Sequence, residues 1–293
     1  MTVGLTNRLN SDDTMQIRGT LIAIGGNEDK GNRAIPLHVH DTVHAFANSG
    51  ILYRIVAEIN NADACLEVVT TASSIPDAVA KQYTRSFKKL GHKNVRQIHV
   101  TSPEEADQPH ILDRIRTCGG ILFSGGDQLL LTSAFSNTAF ARLLHERYLH
   151  EHFVIAGTSA GAMVMSDLMI YPRVPETVLR PEVDLFPGLA LVHDAIIDTH
   201  FLVRGRFRRL AFAVSQHPTH IGIGLEEDTG IIIRKGNKLE AIGSGLITLI
   251  DGRSLKEANL TVAHVEHDIF IENLLVHVLS HGNNFTLRNK KFS

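Results

Sequence analysis

Short apolar runs that stop at Gly, Ser or Thr recur through the first half of the chain. They occupy residues 20–24, 66–70, 95–100, 120–123 and 153–156. Runs of this length with these endings are typical of buried parallel strands. Between them, apolar residues such as Ile75, Val79 and Tyr83 recur at helical spacing. This alternation predicts an α/β fold with a mostly parallel, doubly wound sheet that is covered by helices on both faces.

The second half of the chain has a different pattern. Residues 221–250 contain short apolar runs interrupted by glycines, with turn sequences at 227–230 and 235–237. These features predict antiparallel hairpins that complete the sheet. No internal repeat or low-complexity linker is visible, so we expect a polar N-terminal segment at 1–17 and a single domain at 18–293.

Composition excludes several classes of protein. The 293 residues are 43% hydrophobic and carry a formal net charge of −2, which argues against a disordered chain and against a nucleic-acid partner. No apolar run approaches the ~18 residues of a membrane span, and the polar start argues against a cleaved secretion signal. Two isolated cysteines, Cys65 and Cys118, form no disulfide framework. We therefore expect a cytoplasmic protein without a membrane partner.

The sequence GTSAG at 157–161 is the strongest chemical signal in the chain. It follows an apolar strand and precedes a run compatible with a helix, which is the setting of a nucleophile elbow. A sharp turn there would strain the backbone and expose the hydroxyl of Ser159, with the amide of Ala160 directed at a developing oxyanion. A plain tight turn between strand and helix is the alternative.

A serine nucleophile needs a base, and His200 is the best placed of seventeen histidines. It follows an apolar run at 195–198 and should lie at the end of a strand, on the same edge of the sheet as Ser159. A structural histidine is the alternative. The sequence GGDQ at 125–128 could add a second oxyanion donor, the amide of Gly126 or Asp127, or could be a plain turn in which Asp127 caps a helix.

Four motifs together resemble the cyanophycinase family of dipeptidase E-like serine peptidases. They are GGNEDK at 25–30, SGGDQ at 124–128, GTSAGA at 157–162, and DTHF at 198–201 followed by Arg204, Arg206 and Arg209. The resemblance runs from about residue 20 to about residue 287. It implies a fold like that of class I glutamine amidotransferases, no cofactor, a homodimer, and hydrolysis of cyanophycin, a poly-aspartate whose β-carboxyls carry arginine, to β-Asp-Arg dipeptides.

The resemblance also implies roles for individual residues. Ser159 and His200 would be nucleophile and base, and the third triad member would be Glu176, with Glu182 as the second choice. The implied substrate contacts are Gln128, Asp198, Thr199, Arg204, Arg206 and Arg209. Arginines would bind a carboxylate and Asp198 would pair with a guanidinium. Where the family has glutamine this chain has Thr199, which puts the identity of the substrate in question.

Three alternative functions stay open. They are a peptidase of the same fold acting on short aspartyl peptides, an α/β-hydrolase esterase, and a binding protein that retains the pocket without turnover. We expect no metal: the histidines at 38, 40 and 44 lack further ligands that would complete a site. Glu28, Asp29 and Lys30 are expected to form an ion-pair and turn cluster beside the active site.

Overall fold

A computed structural model of the chain describes residues 17–32, 46–172, 183–255, 257–258, 271–287 and 291–292. The strands are β1 (Thr20–Ile24), β2 (Leu66–Val69), β3 (Val95–Ile98), β4 (Gly120–Phe123), β5 (Val154–Thr158), β6 (Leu168–Pro172), β7 (Val183–Pro187), β8 (Ala195–Thr199), β9 (Ile221–Leu225), β10 (Thr229–Arg234), β11 (Lys238–Gly243), β12 (Ile247–Asp251), β13 (Glu257–Ala258), β14 (Ile271–Glu272), β15 (Leu275–Leu279), β16 (Asn284–Thr286) and β17 (Lys291–Phe292). The helices are α1 (Ile51–Ile59), α2 (Pro76–Lys89), α3 (Pro103–Ala106), α4 (Pro109–Thr117), α5 (Gln128–Phe135), α6 (Ala139–His150), α7 (Ala160–Met163) and α8 (Phe207–Gln216).

The main sheet has the strand order β17-β16-β11-β10-β1-β5-β4-β2-β3. Strands β1, β5, β4, β2 and β3 are parallel, and they are the five apolar runs of the first half of the chain. Strands β10, β11, β16 and β17 continue the sheet in antiparallel pairing. The predicted fold class, a mostly parallel α/β sheet with antiparallel additions, is confirmed.

The C-terminal half does not all join this sheet. Strands β8, β9, β12 and β15 form a separate four-stranded sheet in the order β15-β12-β9-β8, with β8 and β9 parallel. The prediction that the C-terminal strands complete one sheet is therefore right for β10 and β11 and wrong for β9 and β12. Alternating apolar residues show that a strand has a buried face, but the same pattern suits either sheet.

One apolar core joins the two sheets. Ala23 of β1, Ile155 of β5, Ile197 of β8 and Ile223 of β9 are completely buried members of the same cluster. Because the carboxyl ends of parallel strands lie on one edge, the residues after β1, β4 and β5 meet there. Within the described residues, no helix is both long and apolar enough to cross a membrane.

Candidate active site

Ser159 lies in the sharp turn between β5 and α7. Its backbone angles are φ 53° and ψ −114°, a strained conformation for a residue with a side chain. Glycine is required on both sides of the turn. A Cβ at Gly157 would lie 2.2 Å from the carbonyl oxygen of Gly161, and one at Gly161 would lie 2.2 Å from that of Phe123. The turn therefore has the strained geometry expected of a nucleophile elbow.

His200 follows β8 of the second sheet, and its side chain contacts Ser159, which follows β5 of the main sheet. Its Nε2 atom lies 3.0 Å from the Ser159 Oγ atom, and its Nδ1 atom lies 2.7 Å from the Oε1 atom of Glu227. The imidazole is mostly buried, with 10% of the side chain exposed. Serine, histidine and glutamate thus form one chain of hydrogen bonds, the arrangement in which a histidine can take a proton from a serine.

Glu227 is the site residue that the sequence analysis missed. It follows β9 and also accepts a hydrogen bond, 2.8 Å long, from the side-chain amide of Asn27. The residues that were predicted for its position, Glu176 and Glu182, lie outside the described residues. The available signal was a carboxylate just after a strand, but the sequence around it was interpreted only as a hairpin turn.

Three consecutive carbonyl groups at and just after the end of β1 align the segments that carry Ser159, His200 and Glu227. The amide of Ser159 donates to Ile24, that of His200 donates to Gly25, and that of Asp228 donates to Gly26, each over 2.9 Å. Because backbone hydrogen bonds do not depend on side-chain rotamers, this ladder fixes where the three segments lie relative to one another.

Burial, nearby charges and hydrogen bonds set the protonation of His200 and Glu227. Burial lowers the pKa of His200, and the charges of Arg204 and Arg206 lower it further, whereas the hydrogen bond and charge of Glu227 oppose this; the net pKa lies below its ordinary value. Hydrogen bonds from Asn27 and His200 lower the pKa of Glu227. At neutral pH the imidazole is therefore neutral and the carboxylate ionised, as a general base and its orienting partner must be.

The amides of Gly126 and Asp127, both predicted as possible oxyanion donors, lie in different local structures. Asp127 caps helix α5, its side chain accepting from the amide of Leu129 over 2.8 Å, and its own amide donates to the carbonyl of Ala72 over 2.9 Å. The N–H group of Asp127 is thus already used within the chain, which disfavours Asp127 as an oxyanion donor. Gly126 has a φ of 142°, and a Cβ there would lie 1.9 Å from the carbonyl oxygen of Ala72.

Asp198 does not have a free carboxylate. It is completely buried and accepts from Arg209 Nε over 2.6 Å, from Arg209 Nη2, and from Arg206 Nη1 over 3.3 Å. Arg206 also donates to the carbonyl of Thr199 over 2.7 Å. The pairing of Asp198 with a substrate guanidinium stays a prediction, but here its carboxylate is occupied by Arg206 and Arg209, two of the three arginines that were also expected to bind substrate.

The remaining predicted substrate contacts lie in three different environments. Gln128 is buried, and its side-chain amide donates to the carbonyl of Ile170 over 3.0 Å. Thr199 is completely buried and its hydroxyl makes no hydrogen bond within the described residues. Arg204 is exposed and close enough to His200 for its charge to affect the pKa of the imidazole. Of the three, Arg204 is the one open to a ligand.

The predicted cluster of Glu28, Asp29 and Lys30 is confirmed as an ion pair and a turn. Lys30 Nζ lies 2.8 Å from Glu28 Oε1, and Asp29 accepts from the amide of Gly31 over 2.8 Å. Glu28 also accepts from the hydroxyl groups of Tyr83 and Thr158, the latter over 2.7 Å. Burial by itself raises the pKa of Glu28, but Lys30 and these hydrogen bonds lower it below its ordinary value.

No metal-binding group of three or more His, Cys, Asp or Glu side chains occurs in the part of the chain that the structure describes. The histidines at 38, 40 and 44 lie outside the described residues.

Comparison with known proteins gives consistent results. Residues 46–241 match Peptidase family S51. The chain is 33% identical over 272 residues to the cyanophycinase of Synechococcus elongatus, which covers 92% of this chain and 80% of the relative. It is 30% identical over 270 residues to the cyanophycinase of Geminocystis herdmanii, with 92% and 94% covered.

Solved structures share the fold at lower identity. A peptidase from an acI-B1 Actinobacterium has a TM-score of 0.65 and 20% identity, covering 93% of this chain and 98% of its own. A putative peptidase E from Listeria monocytogenes has a TM-score of 0.51 and 16% identity, covering 78% and 99%. With a matching family region that spans most of the chain and relatives at 30–33% identity over nearly its whole length, this chain belongs to Peptidase family S51 and is a serine-type peptidase.

Proposed function

We propose that this peptidase hydrolyses cyanophycin to β-Asp-Arg dipeptides through an acyl-enzyme, with Ser159, His200 and Glu227 as its triad. The observation that carries the proposal is the chain of hydrogen bonds from Ser159 Oγ through the imidazole to Glu227. The relatives named cyanophycinase support the choice of substrate.

The first half of the reaction forms the acyl-enzyme. Ser159 Oγ attacks the scissile carbonyl carbon while His200 Nε2 removes its proton. Glu227 holds the proton on Nδ1 and stabilises the imidazolium. We assign the amides of Gly126 and Ala160 to the oxyanion, since they follow β4 and β5 on either side of the nucleophile and the amide of Asp127 is used elsewhere. His200 then protonates the leaving amine, and the C–N bond breaks.

The second half releases the product. Water gives a proton to His200 Nε2 as its oxygen attacks the acyl carbon, and the ester bond to Ser159 breaks as that proton returns to Oγ. The enzyme is thereby regenerated without a cofactor. Arg204 is the substrate contact that the geometry favours, since it is exposed beside the imidazole and a guanidinium binds a carboxylate through two hydrogen bonds.

Thr199 stands where the family has glutamine, and this difference bears on whether the substrate is cyanophycin or a short peptide. The threonine side chain is completely buried, so it offers a substrate less than a longer amide side chain would. A peptidase acting on short aspartyl peptides is therefore the second candidate function, and it is tested together with the first.

The test is incubation of the wild type and Ser159→Ala with cyanophycin and, separately, with a short α-aspartyl dipeptide, followed by mass spectrometry of the soluble products. Loss of the nucleophile should remove nearly all release of β-Asp-Arg. Ser280→Ala, which changes an exposed serine far along the chain, is the matched control and should retain activity. Equal release by Ser159→Ala and wild type would rule out the serine mechanism, and cleavage of the short peptide alone would favour the second candidate.

A further inference from the structure

A polar cavity of about 230 Å³ adjoins the catalytic pair. The loop after β1 lines one wall, and Val79, Gln82 and Tyr83 of α2 line another. The proposed mechanism uses only the edge of the cavity formed by Ser159 and His200. Its remaining walls are therefore available to bind a part of the substrate next to the scissile bond.

Among the described residues that line this cavity, Lys30 is the one lysine or arginine. Its ammonium group lies 2.8 Å from Glu28 Oε1 and 5.1 Å from the centre of the Tyr83 ring. Glu28 is itself fixed by hydrogen bonds from Tyr83 and Thr158. The ammonium is thus held in one place before a ligand arrives, which reduces the entropy lost on binding.

The chemistry of this pair favours an anionic ligand group. Both oxygens of Glu28 already accept hydrogen bonds, Oε1 from Tyr83 and Lys30 and Oε2 from Thr158. Glu28 is therefore poorly placed to bind a guanidinium. Lys30 has three N–H donors, and its side chain is 16% exposed. A carboxylate, which only accepts hydrogen bonds, is the complementary partner.

A second cation, Arg204, lies in the turn that follows His200, where its amide donates to the carbonyl of His200 over 3.1 Å. The charge of Arg204 lowers the pKa values of both His200 and Glu227, and Arg204 is not among the residues that line the cavity with Lys30. Lys30 is instead linked through Glu28 to Thr158, the residue before the nucleophile. Two cations, Lys30 inside this cavity and Arg204 outside its lining, therefore lie near Ser159 and His200.

Cyanophycin offers two carboxylates near its scissile bond, because each of the two β-Asp-Arg units joined by that bond carries a free arginyl α-carboxylate. We propose that Lys30 binds the arginyl carboxylate of one of these units, while Arg204, the substrate contact already proposed above, binds that of the other. This inference rests on the proposed function and extends it. A substrate must then contain at least two units, and a single β-Asp-Arg dipeptide cannot fill both positions.

The test compares a synthetic trimer of β-Asp-Arg with two trimers in which the arginyl carboxylate on one or the other side of a given scissile bond is an amide. The enzymes are the wild type, Lys30→Met, Lys30→Arg and Arg204→Met. Lys81→Met is the matched control, because Lys81 is exposed on α2 outside the cavity. Values of kcat and KM are measured for each scissile bond by mass spectrometry.

We expect one amide to raise the wild-type KM by roughly tenfold to a hundredfold, the effect of one charge-assisted hydrogen bond. On the free-acid trimer, Lys30→Met should raise KM by the same factor, and on the trimer whose Lys30-bound carboxylate is an amide it should raise KM no further. Lys30→Arg should have a KM on the free acid between those of Lys30→Met and the wild type. Arg204→Met should likewise raise KM on the free acid, and its KM should rise no further on the trimer in which the other carboxylate is an amide.

Three results would overturn the inference. A wild type that cleaves the acid and both amides with equal KM needs no carboxylate site, whatever the variants do. A fall of kcat/KM in Lys30→Met that is equal on acid and amides would show that Lys30 only supports Glu28. Failure of the wild type to cleave any of the trimers or cyanophycin would remove the proposed function itself, and this inference with it.

Discussion

Glu227 has the contacts required of the residue that orients His200. It reaches Nδ1 over 2.7 Å while its other oxygen is held by Asn27. Such a carboxylate keeps the proton on Nδ1, so that Nε2 stays free to act as the base. Ser159 and His200 could be predicted from local motifs, whereas Glu227 lies 27 residues beyond His200 without a motif of its own.

Replacing Glu227 tests whether the third triad member is Glu227 or one of the glutamates first predicted, Glu176 and Glu182. We expect Glu227→Gln to lower kcat on the order of 10³-fold, because an amide can no longer stabilise the imidazolium. Glu176→Gln and Glu182→Gln serve as matched controls, and both should retain nearly the wild-type kcat. A large loss in either control with none in Glu227→Gln would return the triad to the residues first predicted.

Acid pH should inactivate the enzyme by protonating His200. Since its pKa lies below 6.5, the acid limb of the kcat/KM profile should have a midpoint below that value, with activity constant above it. The charge of Arg204 lowers this pKa, so Arg204→Met should move the midpoint to higher pH. Arg208→Met, a change at an exposed arginine of α8, is the control and should move it less. A midpoint that falls in Arg204→Met would contradict the assignment.

At the scale of elements, β8 and α8 depend on Asp198. Strand β8 ends at the residue before His200, and the buried carboxylate ties it to Arg206 and Arg209 at the start of α8. The arginine-rich sequence was interpreted as a substrate pocket. The structure shows that part of it stabilises the turn between β8 and α8, because a buried charge needs partners within reach.

Asp198→Ala should therefore destabilise the fold. Removing one side of a buried ion pair leaves uncompensated charges, and we expect the free energy of unfolding to fall by about 3 kcal/mol. The measurement is urea denaturation followed by circular dichroism. Asp113→Ala breaks an exposed pair with Arg116 and should have little effect. A variant of Asp198 that keeps its stability and only raises KM would restore its role as a substrate contact.

At the scale of the whole molecule, the active site is assembled between two sheets that share one core. The carbonyls that accept from the amides of Ser159 and His200 belong to Ile24, the last residue of β1 in the main sheet, and to Gly25 directly after it, while His200 itself follows β8 in the second sheet. Neither sheet alone would bring the base to the nucleophile. Loss of the shared core should therefore separate the catalytic residues.

Unfolding in urea tests whether the active site depends on both sheets. We expect the loss of peptidase activity and the loss of far-ultraviolet circular dichroism to share one midpoint, because the sheets unfold together. A second midpoint at lower urea, with activity lost while most of the circular dichroism signal remains, would show that the second sheet opens separately. It would also contradict the expectation of a single domain at 18–293.

Sequence patterns alone predicted the parallel strands, the sharp turn at Ser159 and the choice of His200 as its partner, because each depends on residues close together in the chain. Only the tertiary structure decided which sheet β8 and β9 join, that Glu227 contacts His200, and that Asp198 faces its own arginines. These outcomes depend on which buried groups meet across the fold. The alternation of side chains along a strand indicates which face is buried. Which strand or side chain lies next to it depends instead on packing across the fold and on the need of each buried charge for a counter-charge.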